Sequence, residues 1–239
     1  MDPFVLQSAA QFRSPPPYGA PSNAEAVRTA MYAIDFEEIR QKGALVGSTR
    51  TADESEIAKF WVENSPLGWN RIARTVAGSR GLGGWELARL FALLQLAEAD
   101  AYLASFETKY FYRFWRPYTA IRLADGDGNP DTIADTDWLP FDPVTPPVPD
   151  YNSAHSAAGG AARAVLSRFF GTDDTHFTQT STSLPGVTRH YVSFTAAADE
   201  NGRSRILVGF HFRHAVAEGR IQGERVGDWV FERALRPVR

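Results

Sequence analysis

Trp85–Glu107 reads WELARLFALLQLAEADAYLASFE, twenty-three residues with neither proline nor glycine. Its apolar side chains fall almost all round a helix, which predicts an element sitting inside a helical bundle rather than on its surface. The flanking text is also helical. Upstream, Val27, Met31, Ile34 and Ile39 are spaced for a helix over Ala24–Lys42 that ends near Gly43. Thr51-Ala-Asp-Glu54 is a capping box that opens a second helix through Ile57, Phe60 and Trp61 until Pro66. A third runs from about Leu67 to Gly78. Downstream, Lys109–Ile121 (KYFYRFWRPYTAI) continues as dense aromatic and basic residues, with Pro117 marking a kink or a new start. Further helices are expected over Ser153–Phe170, closed by Gly171, over Phe194–Leu207, and from His211 to Leu235. Residues 172–192 read as irregular or briefly extended, and no strand pattern persists, so the fold class is all-α. We expect one helical domain over 1–239, with 1–23 a Pro-rich lead-in (SPPPYGAPSN) that cannot be regular helix.

Composition narrows the function. Hydrophobic residues make up 44% of 239 and aromatics 13%, enough for a sizeable core. Net charge is −3 with no basic block, which points away from nucleic acid. Without cysteine there is no thiolate ligand or nucleophile and no disulfide framework. No apolar run reaches the length of a membrane span, and Met1–Gln11 lacks a signal pattern, which leaves the compartment open. Arg122–Tyr151 is the one long irregular stretch, a length usually kept for function. Its DGDGNPD segment lacks the closing glutamate of a calcium loop and carries Pro130, so it reads as a turn. His176 and His190 fall in irregular text and receive no role.

Three separated pieces carry chemistry. Ser204–His214 (SRILVGFHFRH) places Arg205 and His211 six residues apart. On one helix that is a turn of about 600°, so the two would not share a face; a break at Gly209 brings both to one point. Lys109 and Arg116, seven apart, would face the same way on a continuous helix, about 10 Å apart along its axis. Ser153 stands at a helix N-cap, where the N–H groups of Ala154 and His155 and the positive dipole end favour an anion. His155 there can exchange protons with whatever binds. Lys, Arg, Ser, His, Arg and His, with no carboxylate among them, describe a pocket for an oxyanion rather than a cage for a divalent metal. Singly, each has a plainer reading: Lys109 and Arg116 as solvated helix ends, Ser153 as a cap, His155 as a core histidine, and Phe111, Tyr112, Trp115 and Tyr151 as packing.

K-x6-R-P (Lys109–Pro117), S-x-H (Ser153–His155) and S-R-x3-G-x-H (Ser204–His211) resemble, in order and spacing, the signature shared by vanadium-dependent haloperoxidases and type 2 phosphatidic acid phosphatases. FWRPYTAIRLADGDGNP, LPGVTRHYVSF and GFHFRHAVAEG are most similar to the bacterial haloperoxidase-related branch, in its C-terminal part. The resemblance implies that Lys109, Arg116, Arg205, Ser153 and the Ala154 N–H hold the oxygens of vanadate, for which phosphate can substitute. His211 would bond vanadium and His155 would be the acid–base group. It implies oxidation of halide by hydrogen peroxide to a halogenating species acting on a small organic acceptor, without haem or thiolate. In a phosphatase the same shell would hold a phosphoryl group with His211 as nucleophile; a third reading is a non-catalytic oxyanion-binding relative.

The sequence departs from the family at three places. Pro-Ser-Gly-His becomes Asn152-Ser153-Ala154-His155, adding a Cβ near the anion and losing a proline that stiffens the turn. The aspartate common four residues after the second histidine is Ala215, which counts more against a phosphatase than a peroxidase. Val148 occupies a position where brominating and chlorinating relatives differ. Because the resemblance covers only part of longer members, a partner chain covering the exposed bundle face, as in a homodimer, is a further expectation.

Overall fold

The computed structural model describes residues 2–236. Its helices are α1 (Asn23–Ala26), α2 (Ala30–Lys42), α3 (Ala52–Phe60), α4 (Ser65–Gly78), α5 (Gly84–Tyr112), α6 (Pro117–Arg122), α7 (Ala154–Phe170), α8 (Phe194–Leu207) and α9 (Arg213–Arg233). Strands β1 (Asp174–Thr180) and β2 (Thr188–Ser193) pair antiparallel between α7 and α8. The fold is helical, as expected, with this hairpin as its one sheet among the described residues.

The interior is built on α5, α7 and α9, which pack against one another, with α4 and α8 closing the sides. The small-residue face of α7 lets α9 approach to backbone contact. A Cβ on Gly223 would lie 1.9 Å from the Ala157 carbonyl oxygen, and one on Gly219 would lie 2.4 Å from that of Ser153. This approach sets the start of α9 beside the start of α7, with the Ser153 N–H donating to the Ala215 carbonyl at 2.9 Å.

Several expectations are corrected. The first helix is split: Thr29 caps a new start, and the buried face is Tyr32, Phe36 and Ile39, while Met31 and Ile34 are exposed. The Lys109–Arg116 helix is not continuous. It ends at Tyr112, Arg113 takes a left-handed conformation (φ 52°), and Arg116 is the extended N-cap of α6. Pro117 is the cause, since it bars helix at the residue before it and suits the first turn of a new one. The 172–192 stretch becomes the hairpin, burying Thr175, Phe177 and Gln179 alternately and leaving His176 and His190 exposed. His211 precedes α9 instead of opening it. The α5 helix is less enclosed than its composition predicts, because Trp85, Phe106 and Tyr110 project to solvent.

Other expectations hold. Thr51 and Glu54 form the capping box. DGDGNPD is a turn in which Asp127 accepts from the Asn129 N–H at 2.7 Å and Gly128 has φ 76°. Gly209 breaks the chain after α8 with φ 88°, where a Cβ would meet the Gly43 carbonyl at 2.6 Å. The lead-in runs along the bundle: the N–H groups of Phe4, Val5 and Leu6 donate to Asp100 at 2.7, 2.8 and 3.0 Å. No helix among the described residues is long and apolar enough to cross a membrane.

Candidate active site

The C-terminus of α5, the N-termini of α6 and α7, and the break between α8 and α9 meet at one end of the bundle. Lys109, Arg116, Ser153, Arg205 and His211 are all buried there. Lys109, Arg116, Arg205 and His155 all act electrostatically on His211. Five of the six side chains singled out in the sequence therefore converge, although Lys109 and Arg116 reach the point from different elements, and Ser153 caps α7 two residues before His155.

Backbone oxygens orient the cations. The Lys109 ammonium donates to the carbonyls of Pro149 (2.7 Å) and Asp150 (2.8 Å). Arg116 Nε donates to Val148 O at 2.7 Å, and its Nη1 reaches Phe210 O at 2.9 Å and His211 Nε2 at 3.0 Å. Arg205 Nη1 and His155 Nε2 share the Trp61 carbonyl, at 3.2 and 3.0 Å. The irregular 143–150 stretch is thus the strap that holds two of the three cations, and its outer side walls a 660 Å³ cleft reaching Arg116, Tyr118 and Leu139.

The electrostatics are those of an anion site. Burial and then mutual repulsion push Lys109 well below the usual ammonium range, and Arg205 falls to about 10 by burial and the Arg116 charge. Burial, then Arg205, holds His155 well below its ordinary value, so it is neutral at pH 7. Burial and the three cations do the same to His211. Arg116 offers only donors, so His211 Nε2 accepts and Nδ1–H donates to Asp150 Oδ1 at 2.8 Å. The unprotonated Nε2 faces the cations.

Asp150 is the residue that sequence reasoning missed, and it corrects the view that the site has no carboxylate. It is fully buried; burial raises its carboxyl to about 7, against the pull of Arg116 and Lys109. It stands three residues before the Ser153 cap, in a loop whose path no periodicity reports. With Ala215 in the first turn of α9, the carboxylate on His211 comes from the α7 side. His214, by contrast, is packing: its ring lies between Tyr18 (4.5 Å) and Tyr151 (5.4 Å).

Residues 89–239 match the VCPO second helical-bundle domain. The chain belongs to the vanadium haloperoxidase family. Vanadium chloroperoxidase from Curvularia inaequalis is 29% identical over 195 residues, which are 70% of this chain and 31% of that protein. The crystal structure of a bacterial vanadium-dependent iodoperoxidase matches with TM-score 0.79 and 31% identity over 96% of this chain and 55% of its own. A holo-type bacterial vanadium-dependent chloroperoxidase shares the fold at TM-score 0.76 and 21% identity, over 97% and 53% of the two chains. The chain spans about a third of the Curvularia protein and about half of the bacterial ones.

Against this family the Asn152 departure costs less than the sequence implies. Its amide donates to Ser14 Oγ at 2.7 Å and Gln222 Oε1 at 3.0 Å, and its oxygen accepts from Ser105 at 2.7 Å. Three hydrogen bonds fix the turn in place of a ring. The residues present also fit the vanadate of the haloperoxidase family. Arg205 Nε is buried without a partner, and Ser153 Oγ already accepts from the Ser156 N–H and hydroxyl, which leaves its own proton to donate. Three buried cations face one carboxylate with a raised pKa, an excess that an oxyanion neutralises.

Proposed function

We propose that this chain holds vanadate and oxidises halide with hydrogen peroxide, releasing a halogenating species to a small organic acceptor. The observation that carries the reading is the cup of buried Lys109, Arg116 and Arg205 around the unprotonated Nε2 of His211. Lys109, Arg116, Arg205, Ser153 and the Ala154 N–H would hold the oxygens, and His211 Nε2 would be the nitrogen ligand. When bound, vanadate activates peroxide toward halide without changing oxidation state. The cations would bind and polarise by position, a preorganised field of buried side chains. Asp150 keeps the Nδ1–H tautomer of His211, so that Nε2 faces the site. His155, held by the Trp61 carbonyl, would take and return a proton.

The test is vanadate-dependent bromination of a phenol dye. His211→Ala is expected to abolish vanadate retention; His155→Ala is expected to keep binding and lose turnover. Tight vanadate binding by the His211 variant would overturn the ligand assignment.

A second reading draws on Asp150. A histidine with Nδ1–H on a carboxylate and an unprotonated Nε2 among cations is also a phosphoryl-accepting nucleophile, so hydrolysis of phosphate monoesters or pyrophosphate would use the same residues. Turnover of p-nitrophenyl phosphate, inhibited by vanadate, would favour it. Phosphate binding with neither activity would leave the chain an oxyanion-binding relative.

A further inference from the structure

Ser153 caps α7 with its backbone fixed on both sides: its N–H donates to the Ala215 carbonyl at 2.9 Å, and its carbonyl accepts from the Ala157 N–H at 2.9 Å. Ser156 follows in the first turn, at the position where a capping box has a glutamate or glutamine reaching back to the N-cap N–H. That N–H is already taken, and the short Ser156 side chain turns elsewhere. Its hydroxyl donates to Ser153 Oγ at 3.0 Å, and its N–H donates to the same oxygen at 3.3 Å. A serine inside a helix ordinarily gives its proton to a carbonyl one turn back. Here the recipient is a side chain. Both residues are shut off from solvent, Ser153 at 0% exposure and Ser156 at 1%. Opposite them α8 presents Gly202, where an added Cβ would lie 3.7 Å from Ser156 Oγ, so no side chain from that position competes for the hydroxyl.

Resting on the vanadate-holding reading of the site, we propose that Ser156 is a positioning residue that makes Ser153 a fixed donor to the bound anion. A hydroxyl carries one proton and two acceptor lone pairs. The two bonds from Ser156 occupy both lone pairs of Ser153 Oγ, so Ser153 can meet a further group only by donating. Among the described residues no acceptor takes that proton. The chain of donors therefore runs one way, from Ser156 through Ser153 to an oxygen of the anion, and each link polarises the next. At that position the site selects a ligand that presents a bare oxygen, as orthovanadate and inorganic phosphate do, over one that presents a hydroxyl proton. Ser156 acts only through Ser153, and no bond forms or breaks at either residue.

Calorimetric titration with orthovanadate, and separately with inorganic phosphate, tests this in the wild type, Ser156→Ala, Ser153→Gly and the double variant. Alanine is a better helix former than serine, and glycine is a tolerated N-cap, so the variants should fold. Ser156→Ala is expected to weaken both anions by about 3- to 10-fold, the cost of ordering a side-chain rotor that the wild type already holds. In the Ser153→Gly background the same substitution should have no effect, because the hydroxyl through which Ser156 acts is gone. The vanadium NMR resonance of bound orthovanadate gives a second reading. It should move between wild type and Ser156→Ala and stay in place between Ser153→Gly and the double variant. An unchanged affinity in Ser156→Ala, or an equal loss with and without the Ser153 hydroxyl, would overturn the proposal and reduce Ser156 to packing. Coupling between the two serines in a protein that oxidises no halide would sink the proposed activity and leave the positioning role standing.

Discussion

Asp150 and Ala215 together show how one chemical role moves between residues. The sequence reads Ala215 as a lost carboxylate, yet His211 Nδ1 lies 2.8 Å from Asp150 Oδ1, donated from the strap before α7. What the site requires is an acceptor on the far side of the imidazole, and the backbone contact between Ser153 and Ala215 holds the end of the strap against the first turn of α9. Asp150→Ala is therefore expected to weaken vanadate binding by about 10–100-fold, the usual cost of removing a carboxylate that orients a ligand histidine. Calorimetric titration of the vanadate-free protein with orthovanadate measures it, and an unchanged affinity would show that Asp150 only packs. The six other site residues were legible because each is tied to a short motif with fixed spacing. Asp150 was not, because its link to His211 exists only once the 143–150 strap has folded back over the cations.

Among the elements, those with a strong local signal were legible and those made by long-range contact were not. The α5 helix follows from the unbroken apolar run, and α7 from the Ser153 cap and the Gly171 stop. The hairpin did not follow, because its Thr- and Ser-rich strands are half polar and are held by the interior they cover. The α7–α9 contact did not follow either: the small residues of α7 permit a close neighbour without naming it. Gly223→Ala should push the two helices apart, since its Cβ would fall 1.9 Å from a backbone oxygen that cannot rotate away. A loss of roughly 3 kcal/mol or more in urea unfolding is expected, the scale of overpacking in a core. Glu98, on α5, gives a pH signature. Its carboxyl is raised from 4.5 to about 8, so the native state favours its proton. Its stability contribution is full below the unfolded value and is lost as pH rises through 8. Glu98→Gln should therefore gain on wild type from pH 5 to pH 9, reaching roughly 2 to 4 kcal/mol and then levelling. Thermal unfolding of both proteins at those two pH values checks it, and a constant difference would place Glu98 in contact with solvent.

For the molecule as a whole, the site is where distant parts of the chain are pinned together, and its cations oppose that pinning. The three cations, drawn from the end of α5, the start of α6 and the end of α8, are buried beside one another with one carboxylate whose charge is itself suppressed. An overall charge of −3 gives no hint of this, because the positive charge is local and buried. The folded state therefore carries a repulsion that the unfolded chain relieves, and an oxyanion that binds only the folded state reverses it. At a hundred-fold excess over Kd, binding stabilises by about 2.7 kcal/mol. For a chain of this size that corresponds to roughly 5 to 10 °C in Tm. Orthovanadate, and phosphate at higher concentration, should raise Tm by this amount, while an equal ionic strength of sodium chloride should not. In Arg205→Ala the repulsion falls and so does the ligand's hold, so the vanadate-free variant should lose little stability while the vanadate-induced rise disappears. A Tm indifferent to vanadate in the wild type would mean that the cations are satisfied by the strap carbonyls alone, and the anion site would fall with it.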